Sequence, residues 1–166
     1  MMPASEKEFI KELVKRTKFN YSLVQTGPYE VTQLLNSAVG LLIIPQQKLF
    51  DRIADGMVSE RLLKELLKSV TDNTYKKALD LSEIARHLRN SISHGKVEFK
   101  AEKQYVSDGP LQIESIEFTD ENPKSKDRIV IEITVDILKQ FFEEFSTAAS
   151  VLDESDPHLI VSNIVL

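Results

Sequence analysis

The 166-residue chain contains no cysteine, which excludes disulfide frameworks, thiolate zinc sites and cysteine nucleophiles together. A long apolar run is also missing: the longest, Val39 to Ile44, stops at Pro45, far short of the roughly 20 residues that a bilayer span needs. The first eight residues, Met1 to Glu8, carry no apolar signal-peptide core, so the expectation is a soluble, cytoplasmic chain with no membrane partner. Internal repeats and low-complexity tracts are absent too. Positive charge is in short supply, with 21 Lys and Arg against 26 Asp and Glu, and the net −5 argues against a general affinity for nucleic acid or anionic membrane. The deficit is uneven. Residues 1–95 hold fourteen basic and eleven acidic side chains, a balance of +3, whereas residues 96–166 hold seven and fifteen, a balance of −8. Local fields act over about a Debye length, roughly 8 Å at physiological salt, so the global sum does not exclude a restricted polyanion site in the first half. What is present, 42% apolar and 28% charged residues, suits a single domain over 1–166 with its own core.

Phe9, Ile10, Leu13 and Val14 have the one-sided spacing of an amphipathic helix, with Ser5 and Glu8 as its capping box, and predict a helix over about 5–19. A second helix starts near Pro28 and runs through Val31, Leu34, Leu35, Ala38, Leu41 and Leu42 until Pro45, apolar enough at its end to be central in a bundle. Ser59 opens a third over Arg61 to Val70, and a fourth spans about Thr74 to Ser93. After Gly95 the period changes to two. Val97 to Ala101, Ile113 to Phe118 and Ile129 to Ile133 alternate, separated by turns at Ser107-Asp108-Gly109-Pro110 and Asp120-Glu121-Asn122-Pro123. Thr134 then caps a last helix in which Ile137, Leu138, Phe141, Phe142 and Phe145 form a packing stripe. The tail, about 153–166, reads as either an added edge strand or a partner contact. The predicted class is α+β, mainly α: a helical bundle with a three-stranded antiparallel meander, about 96–134, between the fourth helix and the last.

The fourth helix carries the chemistry. At 100° per residue, Leu81, Ile84, Ala85, Leu88 and Ile92 cluster on one side and face the core, which places Arg89, Ser82, Ser93, Arg86, Asn90 and His94 on a second sector with Glu83 at its edge. Guanidinium forks bind phosphate bidentately and an imidazole titrates near neutral pH, so this face suits a phosphodiester. Gly95 offers a left-handed stop that leaves His94 in the final turn. Polar residues opposite an apolar stripe are equally what a solvated helix face looks like, and the other two histidines, His87 and His158, read as surface residues. No metal-ligand set and no cofactor motif is apparent.

The run Arg86 to Phe99, with Arg89, the polar Asn90 and His94 four residues further on, resembles the signature segment of the HEPN superfamily. The central apolar helix from Leu34 to Pro45, and the strands between the motif helix and a Phe-rich last helix, are similar to HEPN proteins of plasmids, toxin–antitoxin loci and phage defence. The resemblance implies a homodimeric helical bundle with motif helices facing across a shared cleft, cutting single-stranded RNA without a metal by attack of the 2′-hydroxyl on the adjacent phosphorus. It implies that Arg89, Asn90 and His94 are catalytic: His94 as acid or base, Arg89 stabilising charge on phosphorus, Asn90 orienting. Helical geometry adds Arg86, one turn before Asn90, and the same polar face adds Ser93, as substrate contacts. A toxin or defence effector restrained by an antitoxin or other regulatory protein is the corresponding role. The tyrosine that stands two residues after the His in HEPN toxins silenced by AMPylation is Lys96 here, so that mode of control is not implied. The alternatives are a non-catalytic HEPN module that binds RNA or a nucleotide, and a structural dimer that uses the same face as an interface.

Overall fold

A computed structural model describes residues 30–43, 55–101 and 113–151, with scattered positions between 12 and 23. The predicted first helix lies largely outside these residues, as do the turn at 107–110 and the tail at 153–166. Element order is α1 (Glu30–Ile43), a 3-10 turn (Asp55–Met57), α2 (Glu60–Lys68), β1 (Val70–Asn73), α3 (Leu81–Ser93), β2 (Val97–Ala101), β3 (Ile113–Glu121), β4 (Arg128–Thr134) and α4 (Val135–Val151). Among the described residues no helix is long and apolar enough to cross a membrane.

Among the described residues the sheet has four antiparallel strands in the order β1-β4-β3-β2, which corrects the expectation of a three-stranded meander confined between the motif helix and the last helix. The extra strand, β1, precedes the motif helix and pairs with β4, Val70 opposite Ile131 and Asn73 opposite Ile129, with a bulge at Thr71. Val-Thr-Asp-Asn holds one apolar residue in four and is mostly exposed, so alternation gives no signal there; β4 recruits it through backbone hydrogen bonds. The same pairing corrects the start of the motif helix. Thr74 N–H donates to the Arg128 carbonyl at 2.8 Å, and the Thr74 hydroxyl accepts from Arg128 N–H at 2.7 Å, which holds Thr74 against β4 and outside the helix. The helix begins only at Leu81, where Asp80 Oδ1 accepts from Glu83 N–H at 2.8 Å and Asp55 Oδ1 from Leu81 N–H at 2.9 Å.

The core lies between one face of the sheet and the helices. Ile116 and Phe118 of β3 and Ile129, Ile131 and Ile133 of β4 alternate onto that face and meet Leu81, Ile84, Ala85 and Leu88 of α3. Leu138, Phe141, Phe142 and Phe145 of α4 fill the same core, as the stripe predicts, and Leu34 and Leu42 join from α1. Ser59 caps α2 as predicted, its hydroxyl accepting from Leu62 N–H at 3.3 Å. It also ties α2 to α4, since Glu144 Oε2 accepts from Ser59 N–H at 2.6 Å. Ser59→Ala therefore removes a cap, and a loss of about 1 kcal/mol is expected in urea unfolding; an unchanged midpoint would show the cap to be idle.

On the opposite face Lys100 Nζ bridges Glu117 at 2.6 Å and Glu132 at 3.0 Å. Lys100 is pushed up to about 12, chiefly by its bond to Glu117 and next by Glu132. The Ser115 hydroxyl, and then Lys100, hold Glu132 below its ordinary range. A lowered carboxylate stabilises the fold above its unfolded pKa and loses that contribution as pH falls through the lowered value. Glu132→Gln is expected to cost a little stability at neutral pH, moderated by solvent exposure, and none in acid once the native carboxylate is protonated. Parallel urea melts at the two pH values measure the difference; an equal cost at both would discount the charge.

Candidate functional site

Helix α3 ends in a Schellman motif: Lys96 N–H donates to the Ser91 carbonyl at 2.8 Å and Gly95 N–H to the Ile92 carbonyl at 3.1 Å. Gly95 sits at φ 65°, the left-handed conformation that favours glycine, as the sequence predicts. His94 is thereby the C-cap, exposed, with its N–H on the Asn90 carbonyl at 2.9 Å, so Asn90 and His94 stand one turn apart. Ser93 is exposed beside it.

Arg89 and Asn90 are joined side chain to side chain. The Asn90 Oδ1 accepts from Arg89 Nη2 at 2.8 Å and from Nε at 3.2 Å, a two-toothed grip of the guanidinium. The other end of the amide, Nδ2, donates to Asp120 Oδ2 at 3.0 Å. Arg86 is committed elsewhere: its Nη1 donates to Glu83 Oε1 at 3.0 Å. Lys77 reaches the same carboxylate at 4.0 Å.

Two residues of this network depart from the sequence reading. His87, expected on the surface, is 5% exposed and lies with Nδ1 2.7 Å from Asp120 Oδ2. A carboxylate oxygen supplies only lone pairs, so Nδ1 carries the hydrogen and Nε2 faces Glu83 Oε2 at 3.8 Å. Asp120, expected in a turn, is an inward-facing residue of β3 and 4% exposed. The turn begins at Asn122, whose Oδ1 accepts from Lys124 and Ser125 N–H. A period-2 reading does find Asp120, two residues beyond Phe118 and four beyond Ile116 on one face of β3, but its carboxylate breaks the apolar alternation and invites a turn assignment. The sheet also explains His87. β3 covers a flank of α3 that the apolar stripe leaves open and brings Asp120 onto His87 there; Ser91, one turn on, is buried as well. Ser91 satisfies its hydroxyl on the His87 carbonyl at 2.8 Å. Tyr75 closes over the imidazole, ring centroids 4.8 Å apart, and burial pushes its phenol up, with the Asp120 carboxylate adding to the effect. His158, the third histidine, lies outside the described residues.

The site thus holds a guanidinium bound to an amide at the solvent edge of α3, with an imidazole one turn on. A buried carboxylate–imidazole pair stands behind them. The model of the family described as HEPN pEK499 p136 matches residues 2–156, nearly the whole chain and the motif helix with it. The chain belongs to this HEPN family. No curated protein and no solved structure gives a match. Membership of HEPN points to nuclease or RNA-related function in general, and HEPN domains commonly dimerise and act on RNA.

Proposed function

We propose that this HEPN protein is an endoribonuclease that cleaves single-stranded RNA without a metal, as a homodimer in the cytoplasm, with Arg89, Asn90 and His94 as its reacting set. The observation that carries the reading is the Arg89–Asn90 grip at the end of α3 with exposed His94 one turn further on. In the reaction the 2′-oxygen forms a bond to the neighbouring phosphorus as its proton leaves, and the bond from phosphorus to the 5′-oxygen breaks. The products are a 2′,3′-cyclic phosphate and a 5′-hydroxyl, and no oxidant or cofactor enters the balance. His94 takes the 2′-proton or returns one to the departing oxygen, while Arg89 neutralises charge gathering on the phosphoryl oxygens. Ser93 and Arg86 meet the flanking phosphates, Arg86 against the pull of Glu83. A toxin or phage-defence role, held in check by an antitoxin or regulatory protein, is the biological form of this activity.

The test is incubation of purified protein with single-stranded RNA in EDTA, beside Arg89→Ala and His94→Ala. Cyclic phosphate ends are expected from the wild type alone. No cleavage by the wild type, or cleavage that persists unchanged in both variants, would reject the assignment. A second reading, a binding module without turnover, is favoured by the engagement of Arg89 with Asn90, with which a phosphate must compete. It would show as RNA retention at low salt, lost in Arg89→Ala, with no product.

A further inference from the structure

Asp120 has no place among the motif residues, yet it is the anchor on which two of the α3 polar side chains converge. One oxygen, Oδ2, accepts from His87 Nδ1 at 2.7 Å and from Asn90 Nδ2 at 3.0 Å. Asn90 lies between Asp120 and Arg89, and its amide has distinct ends. Nδ2 is the end that a carboxylate accepts from, and Oδ1 is the end that a guanidinium donates to. An amide held by an acceptor-only carboxylate has one orientation, with Oδ1 turned to Arg89. A buried hydrogen bond adds only modest net stability because desolvation offsets much of its gain, so the consequence of these two is geometric. His87 completes the clamp. Its ring is packed against Tyr75 and its Nδ1–H occupies the same carboxylate oxygen, so Oδ2 of Asp120 is held from two sides.

We propose that Asp120, delivered by strand β3, is a positioning residue: it fixes the Asn90 amide, which in turn aims the Arg89 guanidinium, and His87 holds Asp120 in place. The proposal rests on the reading of Arg89, Asn90 and His94 as the reacting set, and it gives the sheet a direct part in the site. Asp120 touches no substrate; it acts through Asn90. Asp120→Asn keeps an oxygen acceptor on the same reach, whereas Asp120→Ala removes it, and Asp120→Ser keeps a polar group too short to span to Asn90.

Two measurements on the full chain test this. The first follows the Asn90 side-chain amide and Arg89 Nε–H signals by nitrogen–proton NMR, each identified by its loss in Asn90→Ala or Arg89→Ala. In Asp120→Ala the Asn90 amide signals are expected to collapse toward those of a free side chain and the Arg89 Nε–H signal to shift with them, and in Asp120→Asn both to stay near wild type. The second measures RNA cleavage per folded molecule. Asp120→Ala is expected to lower kcat about tenfold or more with KM within about twofold, and Asp120→Asn to recover to within about threefold of wild type. Unmoved Asn90 and Arg89 signals in a folded Asp120→Ala protein would overturn the proposal. A lower melting temperature with unchanged kcat would overturn it as well, since it would make Asp120 a structural residue only. Should Asp120→Ala fail to fold, Asp120→Ser carries the same two readouts. If the wild type cuts no RNA, the endoribonuclease reading fails by itself, and the NMR arm still decides whether Asp120 orders the Arg89–Asn90 pair.

Discussion

In His94→Ala, cleavage of single-stranded RNA is expected to fall by about 10²–10⁴-fold, the range that a positioned acid or base contributes to proton transfer. The expected loss is in kcat. His94 is exposed at the C-cap of α3 and supplies no core contact, so the variant should fold and melt as the wild type does. Its position is set by backbone bonds that alanine keeps: the His94 N–H on Asn90, and the Gly95 and Lys96 N–H groups on Ile92 and Ser91. The comparison therefore separates chemistry from folding more cleanly at His94 than at Arg89, whose removal also strips the Asn90 Oδ1 of both its donors. Arg89→Ala is expected to lose both binding and rate. A His94→Ala protein that cuts RNA within about threefold of wild type would exclude the imidazole as the proton carrier.

The largest stability loss is expected at Phe118. Its ring is 1% exposed on the inner face of β3, set in register between Val97 of β2 and Ile131 of β4 and within the same core as the phenylalanines of α4. Phe118→Ala should cost about 3–5 kcal/mol, the sum of lost transfer free energy and the cavity that close-packed neighbours do not refill. Against a total stability of about 5–15 kcal/mol for a natural domain, that is a large share. Urea unfolding followed by circular dichroism reads it directly. A cost below about 1 kcal/mol would mean that the sheet and helices repack around the gap. Phe118 and Asp120 share one face of one strand, so the same substitution should loosen the Asp120 clamp, with cleavage falling before global unfolding is reached.

The boundary between what was legible and what was not runs along hydrogen-bond reach. Repeating apolar periodicity locates α1, α2, α4 and strands β2 to β4 to within a few residues, because each buries a stripe or a face and the period of that burial is written in the chain. The cap at Ser59, the stop at Gly95 and the outward placement of Ser93 and His94 follow from the same local rules. Helix geometry places Arg89, Asn90 and His94 within one polar sector, the HEPN resemblance singles them out as a set, and the HEPN family match agrees with that resemblance. Strand β1 was out of reach because its pairing partner, β4, lies some sixty residues on and its own residues carry no alternation. Thr74 fails to start a helix for the same reason, being held by Arg128. The burial of His87 and the convergence of His87 and Asn90 on Asp120 belong wholly to tertiary structure, since a residue thirty positions distant on a strand meets a helix flank only after the sheet docks. By itself, then, the sequence determined which side chains form the apolar stripe of the motif helix and that Ser93 and His94 point outward, since these depend on helical period and its stop, whereas the burial of His87 did not follow. Only the folded chain decided that Asp120 takes up His87 and Asn90, since the low-dielectric contact between α3 and β3 makes an unpaired polar group costly and so favours the carboxylate that β3 brings there.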